Sequence, residues 1–231
     1  MRSAGHFPLV PASLPAPGSV IVHVVDPAHV TGDHLNAAEN EQACRFRFEK
    51  DARRWRACRN AMRAILGAAL GIAPESVPLI FAEFGKPLLQ PPFDFLHFNL
   101  SHCHDLALVA LGVDGPLGID LEPADRGKSL LGCEHAFCHP DEITGLPEME
   151  DQRADVLLDL WTSKEALLKA LGTGMSLAPE TVSLTPPGER GAGPHPRLQP
   201  FRLRRVEHAS LENHYARLAV PLDARDILIV S

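Results

Sequence analysis

"LWTSKEALLKALGTG" (160–174) reads as a helix that is apolar on one side and charged at the margin of that side. At about 100° per residue, Leu157, Leu160, Trp161, Leu168 and Leu171 form one arc, with Lys164 in its middle. Glu165 and Lys169 lie together at one edge, an i, i+4 pair in the favourable order. Two readings fit. The pair is a surface salt bridge with Lys164 snorkelling along the leucines, or the edge faces a polar cleft.

Upstream, "LGIDLE" (117–122) is a short strand. Strand alternation puts Asp120 and Glu122 on one face and Ile119 and Leu121 on the other. Like charges so placed need a divalent cation, a basic neighbour or bulk water to offset their repulsion. If the helix edge faces this strand, Glu165 becomes a third metal ligand and Lys169 a counter-charge for an anionic substrate.

Around these two elements the order strand, helix, strands occurs twice. "SVIVHVVD" (19–26) is a strand, 39–70 a long helix, and 77–84, 95–101 and 106–112 are strands. The second round has the strand 117–122, helical segments over 129–172, and strands near 181–185, 200–206, 214–220 and 226–230. No period is visible in the residues themselves, so the repeat is one of architecture. "DGPLG" (114–118) is the boundary, and "TPPGERGAGPHPRL" (185–198) is an exposed, mobile loop. The expected organisation is an irregular tail over 1–18, a first α+β half over 19–115, and a second over 116–231 that carries the metal ligands.

A chain of 231 residues with 45% hydrophobic content buries a sizeable core. Its formal charge of -7 argues against wholesale binding to nucleic acid or anionic membranes. Five scattered cysteines give no disulfide framework and suggest a reducing compartment. Prolines interrupt the N-terminal apolar residues before they make a signal-peptide core, and no run of about 18 apolar residues occurs anywhere. A soluble cytoplasmic protein is expected.

Three further stretches carry polar chemistry. "HFNLSHCHD" (97–105) clusters Asn99, Ser101, His102 and His104 at a strand end, where they suit phosphate contacts or a polar turn. No G-x-S-x-G elbow surrounds Ser101, which weighs against a serine hydrolase. "EFGKPLL" (83–89) fixes Lys86 between Gly85 and Pro87. A basic run from Arg45 to Arg63 contrasts with the acidic whole. Two kinds of metal chemistry fit: phosphoryl transfer with Mg²⁺, or a zinc protein drawing ligands from "CEHAFCH" (133–139) and "HCH" (102–104). The cysteine and histidine spacing matches no common zinc pattern, which ranks zinc second.

In series, "FGKP" (84–87), "FNLSH" (98–102), "GIDLE" (118–122), the Phe and Glu of "FCHPDE" (137–142) and "WTSKEALLKALGTG" (161–174) resemble the 4′-phosphopantetheinyl transferase family of the surfactin-synthetase-activating type. The resemblance spans roughly 45–176. It implies an α+β fold of two similar halves related by pseudo-twofold symmetry, each a mainly antiparallel sheet packed with a long helix, with the active site between them. It implies transfer of the phosphopantetheine arm of coenzyme A to a serine of an acyl or peptidyl carrier protein, releasing adenosine 3′,5′-bisphosphate.

By motif match, Asp120, Glu122 and Glu165 would hold Mg²⁺. Glu165 and Lys169 would be the catalytic pair, with Asp120 or Glu122 as alternative bases. Arg54, Lys86, Ser101 and His102 match positions that bind the phosphates of coenzyme A. A charged His102 is the better phosphate partner, so binding is expected to weaken above about pH 6.5. Near Gln42 the family often carries a further cation for the 3′-phosphate; the nearest candidates are Arg45 and Arg47. Thr173 stands where a lysine is frequent, and Glu142 matches a supporting glutamate rather than a ligand. Lys164 either snorkels to solvent or reaches a phosphate. Two halves in one chain suit a monomer. A protein that binds coenzyme A or a carrier without transferring anything is the non-catalytic alternative.

Overall fold

The computed structural model describes residues 13–104, 106–184, 190–192 (backbone alone) and 201–231. In chain order the elements are β1 (Ser19–Val25), α1 (Ala37–Cys44), α2 (Glu49–Leu70), β2 (Leu79–Phe81), β3 (Pro87–Leu89), β4 (His97–Cys103), β5 (Leu106–Gly112), β6 (Gly118–Pro123), α3 (Pro140–Ile143), α4 (Glu150–Leu171), β7 (Ser183–Leu184), β8 (Arg190–Ala192), β9 (Phe201–Arg205), β10 (His214–Pro221) and β11 (Asp226–Val230). One sheet runs β11-β1-β5-β4 and the other β6-β10-β9-β8-β7; β2 and β3 form a separate hairpin. The architecture is α+β.

The two sheets repeat one another. In each, the first strand pairs antiparallel with the last and the last with its predecessor: β1-β5-β4 in one half, β6-β10-β9 in the other. Each carries a 22-residue helix, α2 or α4, that ends at a left-handed glycine, Gly71 or Gly172. Helix α2 packs on one face of the first sheet through Met62, Ile65, Leu66, Val109 and Leu111. Helix α4 packs likewise through Leu157, Leu167, Ala170, Leu203 and Ala219. Between the sheets lies a shared cluster of Val22, Leu108, Ile119, Leu121, Leu218 and Val220.

The repeat also has a trace in the residues, which the search for a period misses because the connections differ in length. "APESV" (73–77) follows α2 and "APETV" (178–182) follows α4. Each forms a short 3-10 turn whose valine N–H donates to its proline carbonyl, and Val77 and Val182 are both buried. A buried cation at the same position of each long helix reaches that turn. Arg63 donates to the carbonyls of Pro74 (3.1 Å) and Val77 (3.2 Å), and Lys164 to those of Pro179 (3.0 Å) and Val182 (2.8 Å). Each cation pairs at 2.7 Å with the glutamate that closes the capping box of the preceding short helix: Glu39 in α1, Glu142 in α3.

Lys164 also donates to Phe137 O at 2.7 Å and is 1% exposed. It therefore neither snorkels to solvent nor reaches a phosphate. Its carbonyl and carboxylate partners come from elements distant in sequence, which helical periodicity cannot show.

Other boundaries differ from those expected. The helix 39–70 divides at 45–48, because Asn36 caps α1 and α2 begins anew after the extended Phe48. The strand 77–84 shortens to β2 and turns back through Gly85 (φ 80°), so "FGKP" lies at the tip and last strand of a hairpin. The helical region 129–172 resolves into 3-10 turns, α3 and α4. Strand β8 falls inside the expected 185–198 loop, whose remaining residues lie outside those described, as do 1–12 of the tail. The last strand, β11, leaves the 116–231 half and pairs parallel with β1. Parallel pairing across the chain leaves no local signature in sequence.

Candidate active site

Gly118 sets the distance between strand and helix. A Cβ there would lie 2.1 Å from the Ala166 carbonyl oxygen and 2.3 Å from the Ala170 amide nitrogen, so only glycine lets α4 lie this close to β6. Alternation along β6 then separates its residues as expected: Ile119 and Leu121 enter the cluster between the sheets, and Asp120 and Glu122 point the other way. The latter are not a solvated edge. Asp120 is 4% and Glu122 9% exposed.

The first half covers that edge with side chains. From β4, Asn99 Oδ1 accepts the Ile119 N–H at 2.9 Å and Ser101 Oγ accepts the Leu121 N–H at 3.2 Å. Two β6 backbone donors at the edge of the second sheet are thereby satisfied across the boundary between halves. The Ser101 hydroxyl donates to Asp120 Oδ1 at 3.0 Å, and Lys169 Nζ donates to both Ser101 Oγ (3.0 Å) and Asp120 Oδ1 (2.6 Å). All the hydrogen-bonding capacity of Ser101 is thus used within the protein.

Glu122 is held by Arg126 and by the Trp161 indole N–H at 3.0 Å, both on Oε1. Trp161 in turn stands edge-on to Phe137, with the Arg126 guanidinium over its ring. Burial pushes the Glu165 carboxyl above the usual carboxylate range; Asp120 adds to this, Lys169 opposes it, and Glu122 adds again. That pattern of influence brings Asp120, Glu122, Glu165 and Lys169 into one electrostatic cluster. Asp120 Oδ2 is enclosed and has no hydrogen-bond partner, although Oδ1 has two. An unpartnered buried carboxylate oxygen beside two further carboxylates is a donor set for a hard cation such as Mg²⁺.

The expected phosphate-binding residues flank this cluster. His102 is exposed, and its pKa is lowered by partial desolvation, then by the charges of Arg54 and Lys169. The unliganded ring is therefore neutral at pH 7, and the window expected at about 6.5 moves lower. Arg54 lines a cavity of about 360 Å³ with Lys50, Arg53 and His104. Lys86 donates to the carbonyls of Leu117 and Ala170, both at 3.0 Å, and burial lowers its pKa to about 8. It joins the hairpin tip to the ends of β6 and α4. Gln42 and Arg45 line another cavity, of about 430 Å³, with Trp55, Arg59 and Phe81, while Arg47 lies over Phe48. Glu142 is committed to Lys164 and to the Leu184 N–H, apart from the carboxylate cluster. The side chain of Thr173 is buried.

Comparison with known proteins meets the geometry here. Residues 116–219 match the family model of the 4′-phosphopantetheinyl transferase superfamily, and residues 28–113 match that of the 4′-phosphopantetheinyl transferase N-terminal region. The chain belongs to the 4′-phosphopantetheinyl transferase superfamily. Among its relatives are 4′-phosphopantetheinyl transferase HetI of a Nostoc species, 38% identical over 66% of this chain and 66% of the relative. A 4′-phosphopantetheinyl transferase of Bacillus subtilis is 30% identical over 65% of this chain and 66% of its own. The Sfp protein of that organism is 26% identical over 65% and 66%. The matches span just under two thirds of these relatives.

The two superfamily models meet between β5 and β6, where side chains of β4 also cross to β6. Sequence reading missed Arg126 and the Trp161 indole N–H, and it assigned Asn99 to phosphate contacts or a turn, whereas that residue holds the Ile119 N–H. Arg126 carried one signal, its i+4 spacing from Glu122; the true partner of Asn99 carried none, since it is a backbone amide of the other half.

Proposed function

We propose that this protein moves the 4′-phosphopantetheine arm of coenzyme A to a serine of an acyl or peptidyl carrier protein and releases adenosine 3′,5′-bisphosphate, as a transferase of the surfactin-synthetase-activating type. The observation that carries this reading is the cluster of Asp120, Glu122, Glu165 and Lys169 where β6 and α4 meet β4 of the other half. A module that only binds has no use for three converging carboxylates beside a lysine.

Asp120, Glu122 and Glu165 would hold Mg²⁺, which when bound supplies positive charge to the pyrophosphate of coenzyme A. In the reaction the carrier serine oxygen bonds to the β-phosphorus, and the bond from that phosphorus to the oxygen leaving with adenosine 3′,5′-bisphosphate breaks. Glu165 takes the serine proton. With no ion bound, burial makes this carboxyl more basic than an ordinary glutamate. Lys169 stabilises charge growing on the pyrophosphate oxygens, held in place by Asp120 and Ser101. Ser101 thus orients Lys169 and Asp120, and a phosphate reaching its hydroxyl replaces one of these contacts. Arg54 and Lys86 supply surrounding cations for coenzyme phosphates, and His102 an imidazole N–H donor. The same reading places the enzyme in the cytoplasm as a monomer.

Incubation with coenzyme A, Mg²⁺ and an apo carrier protein, followed by intact mass, tests the assignment. A gain of about 340 Da on the carrier supports transfer. No gain across fatty-acid, polyketide and peptide-synthetase carriers, with coenzyme A still bound, would favour the binding-only alternative.

A further inference from the structure

We propose that Cys103, His104 and His214 form a binding site for a borderline-soft divalent cation of the zinc type, separate from the carboxylate set. The three residues come from two places in the fold. Cys103 ends β4, His104 lies in the tight turn to β5, and His214 begins β10. A thiol sulfur and one ring nitrogen from each histidine lie within 4.8 Å of one another. Tetrahedral zinc with sulfur and nitrogen ligands places its donors roughly 3.6 Å apart, so small side-chain rotations close the set.

Three observations beyond proximity support a ligand here. His214 Nδ1 is enclosed and has no hydrogen-bond partner, unusual for a buried ring nitrogen. His104 is the only non-glycine residue at positive φ (44°) among the described residues. A histidine held in the left-handed region is a local strain of the kind that collects at ligand sites. The two histidines also wall one cavity of about 510 Å³, where Asp125 and Asn213 supply outer polar groups.

Donor chemistry separates the two cations. Sulfur and imidazole nitrogen favour zinc, while Asp120, Glu122 and Glu165 offer only oxygen and suit Mg²⁺. The other cysteine and histidine stretch, 133–139, is not gathered in this way: Cys133 is exposed, Cys138 is buried, and His139 Nδ1 accepts the Asp141 N–H as a helix cap. The proposed site also has a defined relation to the active site. Cys103 follows His102 on β4, and His214 pairs with Pro123, the residue after Glu122. A bound ion ties the β4–β5 turn to the strand that supports β6. When the zinc–sulfur bond forms, the Cys103 thiol proton passes to the buffer. Three protein ligands leave a fourth position to water.

The test uses the full chain, reduced and metal-free, in excess Mg²⁺, titrated with Co²⁺ as the spectroscopic probe and then with Zn²⁺. One equivalent of Co²⁺ should bind with a thiolate-to-metal charge-transfer band, Zn²⁺ should displace it, and Zn²⁺ should raise the melting temperature. Cys103→Ser and His214→Ala should each weaken binding at least about 100-fold, more than the loss of an outer-shell partner. Far-UV circular dichroism of each variant checks its fold, and Cys103→Ser alone suffices if His214→Ala unfolds. Asp120→Asn should bind as the parent does. Absence of the thiolate band, or binding that survives Cys103→Ser, overturns the proposal. So does binding that Asp120→Asn abolishes, which would place the ion at the carboxylates. No arm depends on transfer activity.

Discussion

Replacing Lys164 by methionine separates fold from chemistry within one motif, because Lys164 lies beside Glu165 yet belongs to another network. The ammonium is 1% exposed and serves four acceptors: Glu142 and the carbonyls of Phe137, Pro179 and Val182. Lys164→Met leaves the Glu142 carboxylate buried without its counter-charge and strips a donor from three carbonyls. Removing one partner of a buried ion pair costs about 3–5 kcal/mol. Domains are stable by about 5–15 kcal/mol in all, so about a fifth or more of the stability goes. At about 2–4 °C per kcal/mol for a chain of this size, the melting temperature falls by about 6–20 °C. Urea unfolding and calorimetry measure that loss. Transfer kinetics on the folded variant at low temperature should stay within about twofold of the parent, since the ammonium touches no substrate. The double variant Lys164→Met with Glu142→Gln removes the stranded charge, while the amide oxygen it introduces can still accept the Leu184 N–H, and it recovers at least about 1 kcal/mol. An unchanged melting temperature with lost transfer would refute the reasoning and place this lysine at the phosphates.

Lys169→Ala should lower kcat about 10²–10³-fold while shifting KM for coenzyme A far less, as its partner charge develops in the transition state; an effect confined to KM contradicts that role. Glu165→Gln should abolish transfer at every Mg²⁺ concentration. Because burial raises its folded pKa, ionising Glu165 opposes folding as pH rises from the ordinary glutamate value through the raised one. The metal-free Glu165→Gln protein should therefore melt at or above the parent at pH 8, and a clearly lower melting temperature would count against the assignment. For Lys86, lowered to about 8, coenzyme A affinity should fall as pH rises through that value and the ammonium loses its charge. Calorimetric titration of Lys86→Met should show weaker binding without that fall; the same fall in the variant would assign it elsewhere.

What could be read from sequence is what short periods determine. A period of two set Asp120 and Glu122 opposite Ile119 and Leu121, and a period near 3.6 put Glu165 and Lys169 on one helix edge. Both hold in the structure, and the cluster they build needs only that β6 and α4 lie together, which Gly118 permits. The roles of Ser101, Asn99 and Lys164 were illegible because each depends on a partner from a distant element: Asp120, the Ile119 amide, and the carbonyls after α4. The pairing of β11 with β1 was hidden for the same reason. "APESV" and "APETV" lay in plain view, but connections of unequal length broke the period that would have drawn attention to them.

On the proposed function, the repeat separates the parts of the molecule that belong to the fold from those that belong to the chemistry. Both halves keep the clamp that ties a long helix to the turn after it and the short helix before it, as Arg63 with Glu39 and as Lys164 with Glu142. Only the second half is armed. Counted from their first residues, α2 has Ala64 and Ala68 where α4 has Glu165 and Lys169, and β1 carries no carboxylate where β6 has Asp120 and Glu122. The first half contributes otherwise: Asn99 and Ser101 hold β6, Arg54 and Lys86 bring cations, and His102 brings an imidazole that is neutral at pH 7. Its sheet also holds the chain's last strand. The second half by itself would therefore keep its three carboxylates but lose the hydroxyl that orients Asp120 and Lys169. Installing glutamate and lysine at Ala64 and Ala68 would give them no carboxylate of β1 to join, and Ala68 is exposed. On the proposed function, one site per chain follows from two similar halves because each half supplies what the other lacks.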